Sequence, residues 1–593
     1  MRFNHSQRLY RFLLLLWLFS GCSTIPHHPA DARDGLNPPD SPPGLQQLTA
    51  DGRILLRSFL DKGQLPDLRR PTFSNYQSEV KEFYESFSGS IPWIQQGKPT
   101  RQAGALIRAL QNAEFKGLSP EDYDSSRWDA RLARIEKSRT ASEYDLIKFD
   151  LALTVCAMRY VSDLHIGRLS PHLFHYDLDI DHKSFDLSEF LTQKLVSSQD
   201  IVAALAEAEP PFPVYRRTEV ALRTYLDLAS RDDGQLLPAA SRTVRPGDSY
   251  AGAPRLARLL TLLGDLPKKY EVTGDVYQES LVDAVKRFQQ RHAVEPNGLI
   301  DTATIKELNV PLNHRVTQLQ LTMERIRWLP HEFLRPPIVV NIPEFRLHAD
   351  NEKYQWVLSM KVVVGRAYRH QTPVFASQIR SVIFRPYWYV PSSIVRAELI
   401  PHLAKNPFYL YENSYEIVDK NGTVANEGAV NESIEEQLRS GDLRVRQRPG
   451  PKNTLGLVKF DIPSRYDVYM HGTPSTELFA RSRRDFSHGC IRVEDPVALA
   501  EWVLRDEPGW DEEKIRSATN GDRTVQLNLV RPIPVLILYG TAVVMEDGEV
   551  HFFDDIYGRD AALESALKSI PRKFTDNLIE DPARALFVPR LGE

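Results

Sequence analysis

Two histidines and one cysteine within twenty residues carry the chemistry of this chain. The stretch reads Tyr469-Met470-His471-Gly472-Thr473-Pro474, then twelve residues, then Ser487-His488-Gly489-Cys490-Ile491-Arg492-Val493. A thiol becomes a nucleophile when a base brought alongside takes its proton and nearby amides hold a developing oxyanion. Cys490 follows Gly489, so the backbone can turn tightly there and approach a ligand closely. His471, nineteen residues upstream, is the candidate base. A free thiol has a pKa near 8.5 and is only slightly ionised at neutral pH, so a neighbouring imidazole is needed to accept its proton. His471, His488 and Cys490 lack the paired spacing of a zinc site, so no metal or other cofactor is implied.

The elements that must position these residues read mostly as strands. Ile338–Ile342, Gln355–Val364, Ile379–Phe384, Lys459–Phe460, Asp467–Met470, Val525–Leu529 and Val535–Tyr539 are β-rich runs with turn residues between them. Asp495 and Pro496 predict a helix over 496–504 directly after the cysteine turn, as cap and first residue. Between Trp388 and Arg448 lies a long stretch without strong periodicity, which reads as a lid over the site.

Upstream the pattern is helical. Leu106–Ala113 has helical spacing and ends toward Gly117, and Ser119-Pro120 restarts a helix with Ser119 as cap. Longer helices follow over about 143–165 and 216–230. Residues 251–312 form a compact unit of three helices, over Pro254–Leu263, Glu279–His292 and a short one capped by Asp301 or Thr302. A linking helix near Val316–Leu329 leads into the β-rich part.

At 593 residues the chain needs three or four domains, and 42% apolar with 26% charged residues is a soluble globular composition. The net charge of −4 gives no footprint for nucleic acid. Cysteines at 22, 156 and 490 form no disulfide framework, and Cys156 falls in an apolar helical stripe as a core thiol. At the N-terminus, Arg2, Arg8 and Arg11 precede the apolar run Phe12–Phe19 and then Ser20-Gly21-Cys22. That run is too short to span a bilayer and has the form of a signal-peptide core. Phe19-Ser20-Gly21-Cys22 resembles a bacterial lipobox that exposes Cys22 for lipidation, with Phe19 in place of the usual aliphatic residue; ordinary cleavage and an uncleaved anchor are the alternatives. Residues 23 to about 46 are polar and proline-rich, a tether.

His471 followed by Ser487-His488-Gly489-Cys490 resembles the signature of the L,D-transpeptidases (YkuD-type catalytic domain), which cross-link peptidoglycan through a cysteine. Gly365-Arg366, Thr372–Phe375, Pro386–Trp388 and Arg448–Phe460 are similar to segments of the large YcbB-type subgroup. Residues 106–123 and 167–171 are similar to its helical scaffold, and Phe288-Gln289, His292 and Gly298–Thr304 to a peptidoglycan-binding module. The resemblance implies a multidomain α+β fold. It would have a signal peptide with lipobox (1–22), a tether (23–46), an all-α scaffold (47–250), a three-helix wall-binding-like module (251–312) and a linking helix (313–335). A mainly-β, β-sandwich-like catalytic domain (336–508, with a capping insertion at about 389–448) follows, completed by a C-terminal extension (509–593).

By the same resemblance Cys490 is the nucleophile, His471 the general base and acid, and the Gly472 carbonyl the group that orients His471. The family usually has serine or aspartate at that last place. His488 would line the pocket, Gly489 and Cys490 amides would form the oxyanion hole, and Arg492, Arg483, Arg484, Tyr469, Trp388 and Ser487 would meet substrate. The implied reaction releases D-alanine from a tetrapeptide stem, forms a thioester and passes the acyl group to a second stem as a 3→3 cross-link. Hydrolysis, attachment of a protein amine, or a non-catalytic wall-binding lipoprotein are the alternatives. Expected partners are donor and acceptor stem peptides, glycan strands at 251–312, the membrane through the N-terminus and carbapenem-type inhibitors. The expected location is the periplasmic side of the cell envelope.

Overall fold

The computed structural model describes residues 44–136, 141–178, 185–268, 274–368, 370–426 and 429–569. Cys22, the apolar N-terminal run, the tether up to Pro43 and the stretch from 570 onward lie outside the described residues. Residues Leu45–Gln47, read from sequence as the end of the tether or just past it, instead form a strand paired with Ser90–Gln95. Among the described residues no helix is long and apolar enough to cross a membrane.

The helical part is built around one buried helix, Glu143–Ile166. Ser142 caps it by accepting from the Asp145 amide, and nearly every residue from Leu146 to His165 is buried, including Cys156. A helix apolar all round must be surrounded, and Arg101–Gln111 and Ile201–Ala208 pack against it. Its central carboxylate, Asp150, accepts from the Tyr84 hydroxyl (2.7 Å) and the Trp93 amide (2.7 Å), while burial pushes its pKa up to about 7. Gly117 ends a short turn with φ +70°, but Ser119 does not act as a side-chain cap. Only a single tight turn, Pro120–Tyr123, follows it, and the Ser119 carbonyl takes the Asp122 amide (3.0 Å).

The small module has its three helices at Ala253–Leu262, Val282–Arg291 and Thr302–Leu308, the last capped by Asp301. Phe288 is buried in its core and stacks on His292 with ring centroids 3.8 Å apart. Two further helices, Pro213–Arg231 and Leu312–Arg327, pack together. Their apolar residues, among them Tyr215, Leu222, Leu319 and Met323, share one core with the β-rich domain.

That domain is a barrel. Trp356–Gly365 pairs along one edge with Ile491–Val493 and along the other with Arg346–Asp350, so the sheet closes on itself. Around the ring from Trp356–Gly365 run Ile491–Val493, Met470–His471, Val458–Asp461, Phe375–Phe384, Val525–Leu538, Ile338–Asn341 and Arg346–Asp350, with Asp485–Ser487 paired to the far end of Trp356–Gly365. The two runs expected at 525–529 and 535–539 are one strand, with its register broken between Asn528 and Ile533. Pro532 and Pro534 lack the N–H groups that would continue the ladder there. Asp495 caps the helix Pro496–Leu504, accepting from the Val497 (3.1 Å) and Ala498 (2.9 Å) amides.

The capping stretch is a folded subdomain rather than an open lid. Trp388–Tyr389, Tyr415–Val418, Val424–Asn426 and Arg444–Gln447 make a four-stranded sheet, with short helices between. It has its own apolar core of Trp388, Val395, Leu399, Ile400, Leu403, Ile417 and Val445. Strands of two to four residues leave too little alternation for a sequence pattern to show.

Candidate active site

Strand register decides which side chains meet. Met470 pairs with Ile491 and His471 with Arg492 in parallel, while Lys459 pairs with His471 across the antiparallel edge. Paired residues point to the same side of a sheet and neighbours along a strand to opposite sides. Met470, Ile491 and Phe460 are buried in the barrel core. Lys459, His471 and Arg492 therefore share the outer face, and Tyr469 and Cys490, each two residues earlier, extend that face toward the turn. Cys490 is thus a diagonal neighbour of His471 on that face.

The imidazole is held by its own strand. His471 Nδ1 lies 2.5 Å from the Gly472 carbonyl oxygen, so Nδ1 carries the hydrogen and Nε2 keeps its lone pair. Glycine at 472 has a local reason. Gly456, at φ +65°, lays its backbone directly on Gly472, and a side chain on Gly472 would come within 3.0 Å of Pro496 Cγ.

The turn that carries Cys490 is braced at several points. Gly489 has φ +115°, a conformation side chains rarely adopt. Ser487 Oγ donates to the Cys490 carbonyl (2.5 Å) and accepts from the Gly489 amide (3.1 Å). Thr372 Oγ1 donates to the Gly489 carbonyl (2.8 Å) and accepts from the Gly365 amide (2.9 Å). Gly365 must be glycine, since a Cβ there would sit 1.9 Å from the His370 carbonyl oxygen.

Several expected substrate contacts are otherwise engaged. The Gly489 amide, expected in the oxyanion hole, is used by Ser487 Oγ, whose hydroxyl in turn serves the turn rather than a ligand. Arg484 is buried and donates to the carbonyls of Val362, Phe345 and Arg481, and Arg483 forks onto Asp485 (2.7 and 3.0 Å). Arg484 is thus spent on the barrel backbone, while the Arg483 side chain stays 56% exposed beside Asp485. Trp388 belongs to the core of the capping subdomain, against which Tyr469 packs. Arg492 remains on the site face, its buried Nε without a hydrogen-bond partner among the described residues.

The resting pair is neutral. Burial first, and then the Arg492 charge, press the His471 pKa down to about 3, against the opposing pull of the Gly472 carbonyl. Burial raises the Cys490 thiol, offset in part by the Tyr469 hydrogen bonds and the Lys459 and Arg492 charges. Among the described residues no hydrogen bond joins Sγ to the imidazole; Sγ lies 3.9 Å from the Asp467 carbonyl and also meets the Tyr469 side chain.

Lys459, Thr372 and Glu398 were not singled out as site residues by sequence. Lys459 was within reach, as an outward cation between apolar Val458 and Phe460 in a strand beside the base. Glu398 was not. Its carboxylate meets His488 Nε2 at 2.7 Å, and no spacing rule links residues ninety positions apart.

Comparison with known proteins agrees with this architecture. Family models match as a scaffold domain (residues 78–222), a "Putative peptidoglycan binding domain" (255–308) and an L,D-transpeptidase catalytic domain (335–544). The chain thus carries the catalytic domain of the L,D-transpeptidases. A scaffold domain and a match to a peptidoglycan-binding domain precede it, the domain set expected of the YcbB-type subgroup. A Haemophilus influenzae protein named "Putative L,D-transpeptidase" is 33% identical over 264 residues, 44% of this chain. The match spans about half (51%) of that relative's length. A crystal structure of an L,D-transpeptidase (Yku) from Stackebrandtia nassauensis covers 50% of this chain and 97% of its own at 10% identity. Its TM-score of 0.20 is too low to support any argument.

Proposed function

We propose that the protein is a cysteine-dependent L,D-transpeptidase of the cell envelope, forming 3→3 cross-links between peptidoglycan stems. The observation that carries this reading is the shared outer face of two register-locked strands. It holds Cys490 diagonal to a His471 whose Nδ1 is fixed by a backbone carbonyl. A catalytic imidazole needs its free nitrogen presented as a base, and the Gly472 contact sets that tautomer.

Because thiol and imidazole both rest neutral, proton transfer accompanies attack. Cys490 Sγ swings from the Asp467 carbonyl and bonds to the carbonyl carbon before the terminal D-alanine, while its proton passes to His471 Nε2. The C–N bond then breaks, the proton goes to the departing amine, and a thioester remains. An acceptor amine attacks that thioester, gives a proton to His471, and the sulfur leaves and is reprotonated. The Cys490 amide, which has no hydrogen-bond acceptor among the described residues, is the donor best placed for the oxyanion. Arg492 suits a stem carboxylate through its planar fork of donors.

Cys490→Ala is expected to abolish D-alanine release from purified tetrapeptide muropeptides, and unchanged release removes the cysteine mechanism. Product masses separate the outcomes of the same acyl-enzyme: dimer for cross-linking, free tripeptide for hydrolysis, a linked stem for protein attachment. Lipidation at Cys22, glycan contact through 251–312 and acylation by carbapenems are part of the same proposal. A wall contact there would use the surface of the module, since Phe288 is core.

A further inference from the structure

A side-chain contact crosses from the capping subdomain to the turn that carries Cys490. Glu398 lies in a widened helical turn, Val395–Leu399, whose Val395 and Leu399 are buried in the cap's core. The Glu398 carboxylate, left outside that core, reaches His488 Nε2 at 2.7 Å. His488 is the second residue of the Ser487–Cys490 turn, and its ring also lies against His370 with centroids 4.8 Å apart. The rest of the turn is pinned from within the barrel: the Ser487 carbonyl by the Arg366 amide (3.0 Å), the Gly489 carbonyl by Thr372 (2.8 Å) and the Cys490 carbonyl by Ser487 (2.5 Å). His488 is the member of the turn whose side chain is held by the cap.

We propose that Glu398 is a positioning residue, seating the nucleophile turn through His488 so that the folded cap fixes where the thiol sits. This inference deepens the proposed L,D-transpeptidase reading and rests on it. The pair is partly open to solvent, with side chains 27% and 47% exposed, so it adds little to stability. Its effect is geometric. Nucleophile placement errors of an ångström cost on the order of a hundredfold in rate, and a clasp two residues from Cys490 controls that placement. A widened turn in a helix is also a common way to aim one side chain at a functional site.

The test uses the full chain with Glu398→Ala, Glu398→Gln, His488→Ala and the Glu398→Ala/His488→Ala double variant. D-alanine release from tetrapeptide muropeptide gives kcat and KM, and iodoacetamide labelling read by intact mass gives the reactivity of Cys490. Glu398→Ala is expected to lower kcat about tenfold with KM changed less than about twofold, the signature of lost positioning rather than lost binding. The double variant should be no slower than the slower single one, because both remove one contact. Glu398→Gln keeps an oxygen for the Nε2 hydrogen and should recover most of the rate. An unchanged kcat in Glu398→Ala, losses that multiply in the double variant, or an effect confined to KM each overturn the proposal. If the wild type releases no D-alanine, the enzymatic reading falls on its own. The labelling arm still decides the clasp: a shift of roughly threefold or more in Glu398→Ala supports it, and an unchanged rate sinks it. Should His488→Ala fail to fold, the two Glu398 variants carry the test alone.

Discussion

At the scale of single residues, the site stores its reactivity rather than displaying it. With the thiol raised by burial and the imidazole at about 3, the thiolate fraction at neutral pH is below that of a free cysteine. The rate of Cys490 alkylation is therefore expected to climb with pH and to keep climbing beyond pH 8.5, the ordinary thiol value. A plateau near pH 6–7 would mean a preformed ion pair and would count against the neutral description. His471, neutral at every pH above about 3, should give no acid limb near 6.5 in kcat/KM for D-alanine release. Thr372→Val tests the brace behind the turn. It leaves the Gly365 amide and the Gly489 carbonyl without a partner, costing about 1–3 kcal/mol in thermal or denaturant unfolding, with a fall in turnover. A variant that melts like wild type would show the hydroxyl is dispensable.

At the scale of elements, the strands around the site were legible and the cap was not. β-rich runs between turn residues marked the strands at 338–342, 355–364 and 379–384, the last beginning four residues earlier in the structure, and Asp495-Pro496 marked the helix after the cysteine. The closure of the sheet was not recorded, since it depends on Arg346–Asp350 and Ile491–Val493 pairing along opposite edges of Trp356–Gly365. The same limit hid Glu398, whose partner is set by how the cap folds back. That His471 and Cys490 share a face could be sought from residue type and spacing, whereas the internal hydrogen bonds of Gly489, Arg483 and Arg484 depend on partners that no local pattern names. Gly456 illustrates an element that tolerates no change. Alanine there would hold φ +65° and bring Cβ within 2.6 Å of the Thr473 amide nitrogen, so the loop under His471 must shift. Gly456→Ala should cost about 1–3 kcal/mol of stability and lower turnover beyond what the melting shift explains. An unaltered melting temperature would refute the strain.

At the scale of the whole molecule, scaffold and barrel are tied by buried charge. Glu324, on the linking helix, accepts the Arg168 (2.5 Å) and Leu169 (3.1 Å) amides and pairs with Arg327 at 3.5 Å. Arg327 in turn donates to the Tyr215 hydroxyl (2.9 Å) and to the Lys116 carbonyl. Glu324→Ala would take the carboxylate away from a fully buried guanidinium and leave the Arg168 and Leu169 amides without their acceptor, and a loss of about 3–5 kcal/mol is expected in chemical denaturation, with scaffold and barrel signals moving together. The barrel also borrows backbone from the scaffold: the Asp177 amide donates to the Val374 carbonyl (3.0 Å) and the Ala376 amide to the Asp177 carbonyl (2.9 Å). A neutral, half-covered Cys490 has one more consequence, for how the thiol meets oxidants. Peroxide attacks thiolates, and the other described cysteine, Cys156, is sealed in the scaffold core. A sulfur kept protonated until substrate arrives is shielded from sulfenic acid formation, and its shelf life and its catalytic restraint have the same origin.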